Sequence, residues 1–204
     1  MPAGGTETVS KRDKAIAQRR AQILEAALAC FLENGYHQTG VRDIARKAGI
    51  SLGNLYNHFP GKHDVLAEIA ALERQELEPF LKILAKPAPA PKVMERFLKA
   101  YAKYLASPEN VILSLEIASE AIRKPDIAMM FMENREQLVA AVAAVLERGI
   151  AEGDLRHLPD PLETSQLIIE VTEGSAYRCV LSGGSMRRTS KGLQDFVAAA
   201  IRSR

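Results

Sequence analysis

Apolar residues recur at intervals of three and four positions through almost the whole chain, as they do on the buried face of a helix. The clearest series is Ile23, Leu24, Ala27, Leu28, Phe31 and Leu32. Gly35 follows this series and can end the helix in a left-handed conformation. No stretch of the sequence alternates apolar and polar residues for long enough to predict a strand. The pattern therefore predicts an all-α protein of about nine helices.

Glycine, proline and good N-cap residues mark the ends of these helices. Thr39 and Ser51 are predicted N-caps of two short helices, and KPAPAPK, residues 86–92, is a predicted connector. The predicted helices lie at about 13–34, 40–48, 51–59, 62–85, 93–106, 108–123, 126–152, 162–181 and 190–201. On the fourth helix, the acidic residues are expected to face outward: Glu73, Glu76 and Glu78.

The predicted elements fall into three regions. Residues 1–13 are small, polar and basic, and are predicted to be a disordered tail. Residues 14–61 are predicted to form a small domain of three helices, and residues 62–204 a larger helical domain. A content of 47% hydrophobic and 25% charged residues is typical of globular domains.

Neither a membrane span nor a secretory signal is predicted. The longest apolar run, 138–146, is half the roughly 18 residues that a spanning helix needs. The first 14 residues contain no apolar core of the kind found in signal peptides. We therefore expect a cytoplasmic location.

The sequence offers no constellation for catalysis or metal binding. Cys30 and Cys179 lie far apart on helical segments and are expected to be reduced core residues. The histidines show no metal-ligand spacing with each other or with the cysteines: His37, His58, His63 and His157. No glycine-rich loop follows a strand, and no Ser/His/Asp set can be argued. We expect no cofactor, no metal and no enzymatic activity.

Positive charge is concentrated at the start of the chain. Residues 1–62 contain nine Lys and Arg against five Asp and Glu, a net charge of +4. The remaining eighteen basic and twenty acidic residues give −2, so the whole chain carries +2. This distribution suits contact with a polyanion, although a solvated charged face would give the same imbalance.

The segment from Thr39 to Pro60 has the pattern of a helix-turn-helix. Ala45 is small enough for close packing, Gly49 can adopt the positive φ of the turn, and Leu55 can hold the second helix against the first. The second helix would then expose Ser51, Gly53, Asn54, Tyr56, Asn57 and His58. An ordinary helical hairpin with exposed polar residues is the alternative interpretation of this spacing.

The exposed set has the chemistry of a DNA-binding surface. Asparagine amides can pair with base edges, serine and tyrosine hydroxyls can donate to phosphates, and Gly53 permits close approach to a strand. Arg42 and Lys62 flank the second helix and are predicted to contact phosphates on either side.

The region ILEAALACFLENGYHQTGVRDIARKAGISLGNLYNHFPGKHDVL closely resembles the DNA-binding region of TetR-type bacterial transcriptional regulators. The motif that carries the resemblance is G-x-L-Y-x-H-F-x-x-K, formed by Gly53, Leu55, Tyr56, His58, Phe59 and Lys62. The resemblance is strong over about the first 65 residues. Over the rest of the chain it rests on size and helical pattern alone.

The resemblance implies a homodimer that binds a palindromic operator as a repressor and releases it when a small molecule binds. By position it implies that Thr39 and Arg42 contact phosphates, that Ser51, Gly53, Asn54 and Asn57 lie near the groove, and that Tyr56, His58 and Lys62 hold the DNA backbone. The basic stretch from Lys11 to Arg20 either contacts DNA or is a soluble tail.

The last two predicted helices offer a dimer interface, because each carries an apolar stripe. The predicted interface residues are Ile168, Val171, Thr172, Ser175, Ala176, Cys179, Leu193, Phe196, Val197 and Ala200. The alternative is that both stripes cover the core of their own protomer.

The small-molecule site is expected among the helices between about Phe80 and Leu146. Its predicted lining includes aromatic, methionine and acidic residues: Phe97, Tyr101, Tyr104, Leu113, Glu116, Ile117, Glu120, Met129 and Met130. Glu116 and Glu120 share one helical face, so an inward orientation would favour a cationic or donor group on an otherwise apolar ligand. Pairing with Arg123 or Arg135 would make them structural, and the aromatic and methionine residues could simply be core.

These observations lead to one main hypothesis, a ligand-responsive, dimeric transcriptional repressor whose partners are operator DNA, a second copy and a small-molecule inducer. The alternatives are a DNA-binding activator or nucleoid-type factor without an inducer, and a helical enzyme with a borrowed helix-turn-helix.

Overall fold

The computed structural model describes residues 11–184 and 186–202. Within them the chain forms nine α-helices: α1 Lys11–Asn34, α2 Val41–Lys47, α3 Leu52–Tyr56, α4 Lys62–Leu84, α5 Ala90–Leu105, α6 Pro108–Ala121, α7 Pro125–Ala151, α8 Pro161–Leu181 and α9 Met186–Ile201. Extended pairing in the same residues is limited to an isolated antiparallel bridge between Leu155 and Arg202. The predicted all-α class is confirmed.

Three helices begin two to four residues earlier than predicted. α1 begins at Lys11, so residues 11–13 are helical rather than part of a disordered tail, and residues 1–10 lie outside the described part. α5 begins at Ala90, inside the proline-rich segment, because Pro91 occupies the first turn, where no backbone N–H is needed. α9 begins at Met186 rather than near Ser190.

The chain packs as two compact units, one up to Ile69 and one from Ala70. In the first unit, large side chains from four helices are almost completely buried: Ile23, Phe31, Ile44, Leu55, Phe59 and Leu66. Its limit falls inside α4 rather than at the predicted boundary of 61/62. The reason is that the first turns of α4 bury Val65 and Leu66 in this core.

The second unit is a bundle in which α5 contacts α7, α8 and α9. Its core contains Phe97, Leu98, Leu138, Leu146, Ile169 and Val197. Gly149 on α7 is required by packing, since a Cβ there would lie 2.5 Å from the Cβ of Ala90. Cys30 and Cys179 are buried free thiols, one in each unit. Among the described residues, no helix combines the length and apolar content needed to cross a bilayer.

Candidate functional site

The first candidate site is the α2–turn–α3 segment. Gly49 forms the turn with φ +66°, and the Ile50 N–H donates to the Ala45 carbonyl at 3.0 Å. α3 has only five residues, and the complete burial of Leu55 holds it against α2. Because such a short helix is not stable alone, its position depends on this packing. Ala45, Gly49 and Leu55 thus have the packing roles that the sequence predicts.

Most of the predicted DNA-contacting side chains surround α3 on its exposed side. Arg42, Ser51, Gly53 and Asn57 are exposed, and Tyr56 retains 47% of its accessible surface. Ser51 Oγ accepts the Asn54 backbone N–H at 3.1 Å, so Ser51 is the predicted N-cap. The cap uses Oγ as an acceptor and leaves its hydroxyl able to donate.

Asn54 is half-buried and oriented differently from the expectation. Its side-chain oxygen is buried and accepts no hydrogen bond from any described residue. A bidentate pair with a base edge needs both the oxygen and the amide nitrogen of the side chain. Asn54 must therefore change rotamer to pair with a base in that way.

Thr39 is not the N-cap that the sequence predicts, and its side chain is used within the protein. Its side chain is buried, with the residue 2% exposed, and its hydroxyl donates to the carbonyls of Gly35 at 2.8 Å and Cys30 at 3.2 Å. Gly40 is the N-cap of α2, and the Asp43 carboxylate accepts its N–H at 3.0 Å. Thr39 therefore fixes the end of α1, and its buried hydroxyl is not placed for the predicted phosphate contact.

Lys62 is also used inside the protein. Its ammonium donates to the carbonyls of Tyr36 at 2.7 Å, Thr39 at 2.9 Å and His37 at 3.4 Å. The same nitrogen lies 4.2 Å from the centre of the Tyr36 ring. An ammonium has three donor hydrogens, and three carbonyls receive them here. In this conformation Lys62 joins the start of α4 to the α1–α2 loop instead of holding the DNA backbone as predicted.

Arg20 connects the end of the α3 segment to α1 and α4. Its guanidinium donates to the His58 carbonyl at 2.7 Å, forms an ion pair with Glu68, and lies 4.2 Å over the Phe59 ring. The imidazole of His58 is half-buried. Arg20 thus fixes the backbone that follows α3, whereas the sequence had grouped it with a basic arm of open role.

Most residues of the predicted dimer stripes are buried within their own protomer, which is the alternative that the sequence left open. Six of the ten residues are buried in the core of the second unit: Ile168, Thr172, Ala176, Cys179, Leu193 and Val197. Ser175 and Ala200 are half-buried, Val171 is exposed, and Phe196 is 62% exposed. α8 is apolar on two adjacent faces, and periodicity alone does not tell which one packs inward. Its exposed apolar face consists of Leu167, Val171, Gly174 and Leu181.

The second candidate site is a cavity of about 620 Å³ in the second unit. Residues from α4 to α8 line it, and three of the predicted ligand residues are among them: Tyr101, Tyr104 and Ile117. The other six do not line the cavity: Phe97, Leu113, Glu116, Glu120, Met129 and Met130. Phe97 is completely buried in the core, and Met129 is 68% exposed.

The acidic pair of α6 has a structural environment. Glu120 is buried and its carboxylate lies 3.3 Å from the Lys124 ammonium, while Glu116 is half-buried away from the cavity. Arg123 donates to the Ser119 hydroxyl at 2.9 Å. Glu116 and Glu120 are therefore not the acids of the cavity.

Two other glutamates occupy its wall. Glu73 accepts the side-chain amide of Asn134 at 2.8 Å, and Glu173 accepts the hydroxyl of Tyr101 at 3.2 Å. Burial raises the pKa of both carboxyls, and it is opposed by the Asn134 amide at Glu73 and by the Arg135 guanidinium at Glu173. The outward orientation predicted for Glu73 is wrong, because the second unit packs around that side of α4.

Family models match both parts of the chain. The model for bacterial regulatory proteins of the tetR family matches residues 23–69, and the model for the C-terminal domain of AefR-like transcriptional repressors matches residues 92–203. The chain belongs to the TetR family. The main hypothesis from the sequence, a ligand-responsive transcriptional regulator with a helix-turn-helix, is confirmed.

Relatives of known identity support the assignment of this TetR-family chain. The transcriptional regulator RutR of Escherichia coli O157:H7 is 31% identical over 168 residues, which are 82% of this chain and 68% of RutR. A regulator from Saccharomonospora viridis, solved with choline, superposes with a TM-score of 0.79 at 23% identity, over 92% of this chain and all of that one. FadR from Bacillus subtilis, solved with stearoyl-CoA, superposes with a TM-score of 0.74 at 22% identity, over 86% of this chain and 95% of that one.

Three features of this TetR-family protein had no signal in the sequence. The ion pair between Arg20 and Glu68 joins residues 48 positions apart, and the bond between Glu73 and Asn134 spans 61. Glu173 meets Tyr101 across 72 positions. Local spacing carries no information about such partners, whereas the helical motif around α3 is contained in one short segment.

Proposed function

We propose that this protein is a homodimeric repressor that binds a palindromic operator through α3 and releases it when a small molecule enters the cavity. The observation that carries the proposal is the construction of α3. Leu55 and Phe59 are buried, while the residues between and before them are mostly polar and exposed. Membership of the TetR family supports the same class of activity.

The proposed DNA contacts divide by chemistry. Arg42, Ser51 and Tyr56 would donate to phosphates, and Asn54 and Asn57 would meet base edges. His58 would add a contact to the DNA backbone beside them. Thr39 and Lys62 are left out because their side chains are used within the protein.

Gly53 supports a close approach to DNA. A Cβ at this position would meet no atom within 4 Å, and the residue lies on the exposed side of α3. Packing within the protein therefore gives no reason for glycine, whereas contact with a strand of DNA does. We propose that Gly53 lies against the DNA backbone.

The proposed dimer interface is the exposed apolar surface of α8 and α9 rather than the buried stripes. It consists of Leu167, Val171, Gly174, Leu181 and Phe196. Two copies of such a surface can pair about a two-fold axis, as palindromic DNA requires. Phe196→Glu should weaken dimerisation at least a hundredfold in analytical ultracentrifugation. Met129→Glu, an equally exposed apolar site on α7, is the control, and equal weakening by both would contradict this interface.

We propose the cavity as the inducer site. Its volume lies within the range of pockets that hold drug-sized ligands, and its lining is largely apolar. The related structures with choline and stearoyl-CoA show that this fold accommodates very different small molecules. Tyr101, Tyr104 and Ile117 are its residues already expected from the sequence.

Functionally, we propose that residues 14–61 carry DNA binding and residues 62–204 carry ligand binding and dimerisation. α4 contains residues of both compact units, since Glu68 pairs with Arg20 and Glu73 lines the cavity. A change of α4 is therefore the proposed link between ligand and operator. Because the target is chromosomal DNA, we propose that the protein acts in the cytoplasm as a regulator without enzymatic activity.

Operator binding is tested by selecting duplexes from a random pool and measuring affinity by fluorescence anisotropy at several salt concentrations. The protein should enrich a two-fold symmetric sequence. Arg42→Ala should weaken binding to all duplexes and lower the salt slope by about 1, whereas Asn57→Ala should relax the preference at one base pair per half-site. Enrichment of no symmetric sequence would contradict the proposal.

A further inference from the structure

The cavity has an apolar side built by α6 and α7. This side includes Val111, Leu115, Ile117, Ile122, Phe131 and Met132. It offers no charge and suits an alkyl or aryl group. The remaining wall, from α4, α5, α7 and α8, contains all the charged groups among the described lining residues. The cavity is therefore amphipathic, and its ligand should be amphipathic too.

The charges on the polar wall do not balance. Glu73 and Glu173 contribute two negative charges and Arg135 one positive charge, a net −1. The Arg135 guanidinium is already opposed by two carboxylates, Glu173 at 3.4 Å and Glu170 at 3.7 Å. Arg135 is therefore shared between two carboxylates and leaves no positive charge to balance Glu73.

Glu73 has a neutral partner. It accepts the Asn134 amide, and within the described part of the chain it forms no ion pair with a basic side chain. Arg74 is adjacent in sequence, but its guanidinium donates to Glu133 at 2.8 Å and to the Asn134 oxygen at 3.0 Å. The charges that act on the pKa of Glu73 are those of Glu76 and Glu173, which are both acidic. A cation at this wall would relieve an uncompensated charge.

Two tyrosine rings complete the polar wall. Tyr101 and Tyr104 line the cavity with their rings nearly parallel, 6.3 Å between centroids. Their hydroxyls donate to Glu173 and Glu76, respectively, so the hydroxyl hydrogens are already used. Burial raises the pKa of both phenols, which keeps the rings neutral. Electron-rich rings beside a carboxylate are a recurrent environment for ammonium groups.

We propose that the inducer is an amphiphilic monocation, with its ammonium group between Glu73 and the tyrosine rings and its hydrocarbon part along α6 and α7. This inference rests on the proposed function of the cavity as the inducer site and names the chemical class of its ligand. An anionic amphiphile of the same length would place its head group against Glu73 and Glu173. A neutral one would leave the charge of Glu73 without an opposite charge beside it.

The class is tested with three probes that share one tail: octyltrimethylammonium, octanol and octanoate. Isothermal titration calorimetry at neutral pH should show the cation binding at least tenfold more tightly than octanol, with octanoate weakest. Glu73→Gln keeps an acceptor for Asn134 and removes the charge. It should weaken cation binding about tenfold and change octanol binding less than twofold.

Glu78→Gln is the matched control. Glu78 lies on the same helix, but it is exposed and pairs with Lys82 at 2.8 Å. The Glu78→Gln variant should bind all three probes with the same affinities as the unaltered protein. Circular dichroism establishes that each variant is folded. If Glu73→Gln does not fold, Glu173→Gln replaces it, with a smaller expected loss for the cation because Arg135 already opposes the charge of Glu173.

Operator release, followed by anisotropy on the selected duplex, separates the two levels of the proposal. Three results would overturn the ligand class, even if another compound releases DNA. These are no binding of the cation, equally tight binding of octanol or octanoate, and unchanged cation binding by both Glu73→Gln and Glu173→Gln. Charge-dependent binding of the cation without release of DNA would support the ligand class and contradict induction through this cavity.

Discussion

The exposed residues of α3 and the polar wall of the cavity are held in opposite ways. Around α3, most polar side chains face solvent, with half-buried Asn54 as an exception, and buried Leu55 and Phe59 hold the segment in place. In the cavity, Glu73, Asn134 and Glu173 are themselves partly or fully enclosed. Asn134 donates to Glu73 and Tyr101 donates to Glu173, in both cases between different helices. Around α3, the residues that hold the segment in place differ from those proposed to contact DNA. In the cavity, the residues that hold the wall together are also those proposed to contact the ligand.

This difference has consequences for mutation. An exposed side chain of this segment, such as that of Tyr56 or Asn57, can be removed with little loss of packing, because solvent already surrounds much of it. A polar residue of the cavity wall has a desolvated charge or a buried partner, so its replacement changes stability as well as binding. The following predictions test this contrast, beginning with the largest effect.

The largest effect should come from the buried support of α3. Leu55→Ala removes a completely buried side chain and should lower the free energy of unfolding by about 3 kcal/mol, measured by urea denaturation. Operator binding should be lost because Leu55 is the one fully buried side chain within α3 itself, Leu52–Tyr56. Leu52→Ala, at a half-buried position on the same helix, should cost less than half as much. Equal costs would show that Leu55 is not the anchor.

The next effect should be on DNA binding alone. Tyr56→Ala removes an exposed side chain and should change the free energy of unfolding by less than about 0.5 kcal/mol. Its operator affinity, measured by anisotropy, should fall about tenfold, which corresponds to one hydrogen bond to a charged phosphate. Tyr56→Phe should lose nearly the same amount, since the hydroxyl is the proposed donor. Normal affinity in both variants would remove Tyr56 from the interface.

Replacement of Arg20 should change the free energy of unfolding by an amount between those of Leu55→Ala and Tyr56→Ala, because Arg20 supports the α3 segment with a polar group. Arg20→Ala removes the bond to the His58 carbonyl and the ion pair with Glu68, and should destabilise by about 1 kcal/mol, given that the pair is one-third exposed. Operator affinity should fall a few fold. Arg19→Ala, whose guanidinium donates to Gln22 on the same helix, is the control. An equal loss of affinity in both would indicate direct phosphate contact instead of support.

The smallest effect should be a gain of stability in the cavity. The pKa of Glu73 is raised from its ordinary value of 4.5 by burial, so the folded protein binds a proton more tightly than the unfolded chain, and stability falls as pH rises through this range. Glu73→Gln should therefore raise the Tm by about 1–2 °C at pH 7, and by less at pH 5. The charged and titratable groups around Glu73 are Glu76, Arg135, Glu173, Tyr101 and Tyr104.

Glu78→Gln provides the opposite case on the same helix. The hydrogen bond from Lys82 lowers the pKa of Glu78, so removal of its charge should slightly lower the Tm at pH 7. Differential scanning calorimetry measures both variants. If Glu73→Gln were less stable than the unaltered protein at pH 7, the charge of Glu73 would already be compensated in the free protein, which would contradict the contrast drawn here.

The sequence predicted the helix-turn-helix well because its residues are neighbours along the chain. Gly49, Leu55 and the exposed residues of α3 follow from helix period, turn chemistry and one motif. The motif also identified Lys62, but not its role, since the carbonyls that it joins belong to a loop more than twenty residues earlier. Thr39 is a similar case, where a residue type suited to a cap or a phosphate contact is buried instead.

The sequence alone thus determined the all-α class, the order of the helices, the turn at Gly49 and the family of the protein, because these depend on local periodicity and on short-range motifs. The tertiary structure decided which face of α8 is buried, which acids line the cavity and which basic residues are used internally. Those outcomes depend on partners tens of residues away, as for Glu73 with Asn134 and Arg20 with Glu68. The local sequence pattern of a helix with two apolar faces, or with acidic residues on several faces, is compatible with more than one orientation. Only packing against the other helices selects one of them.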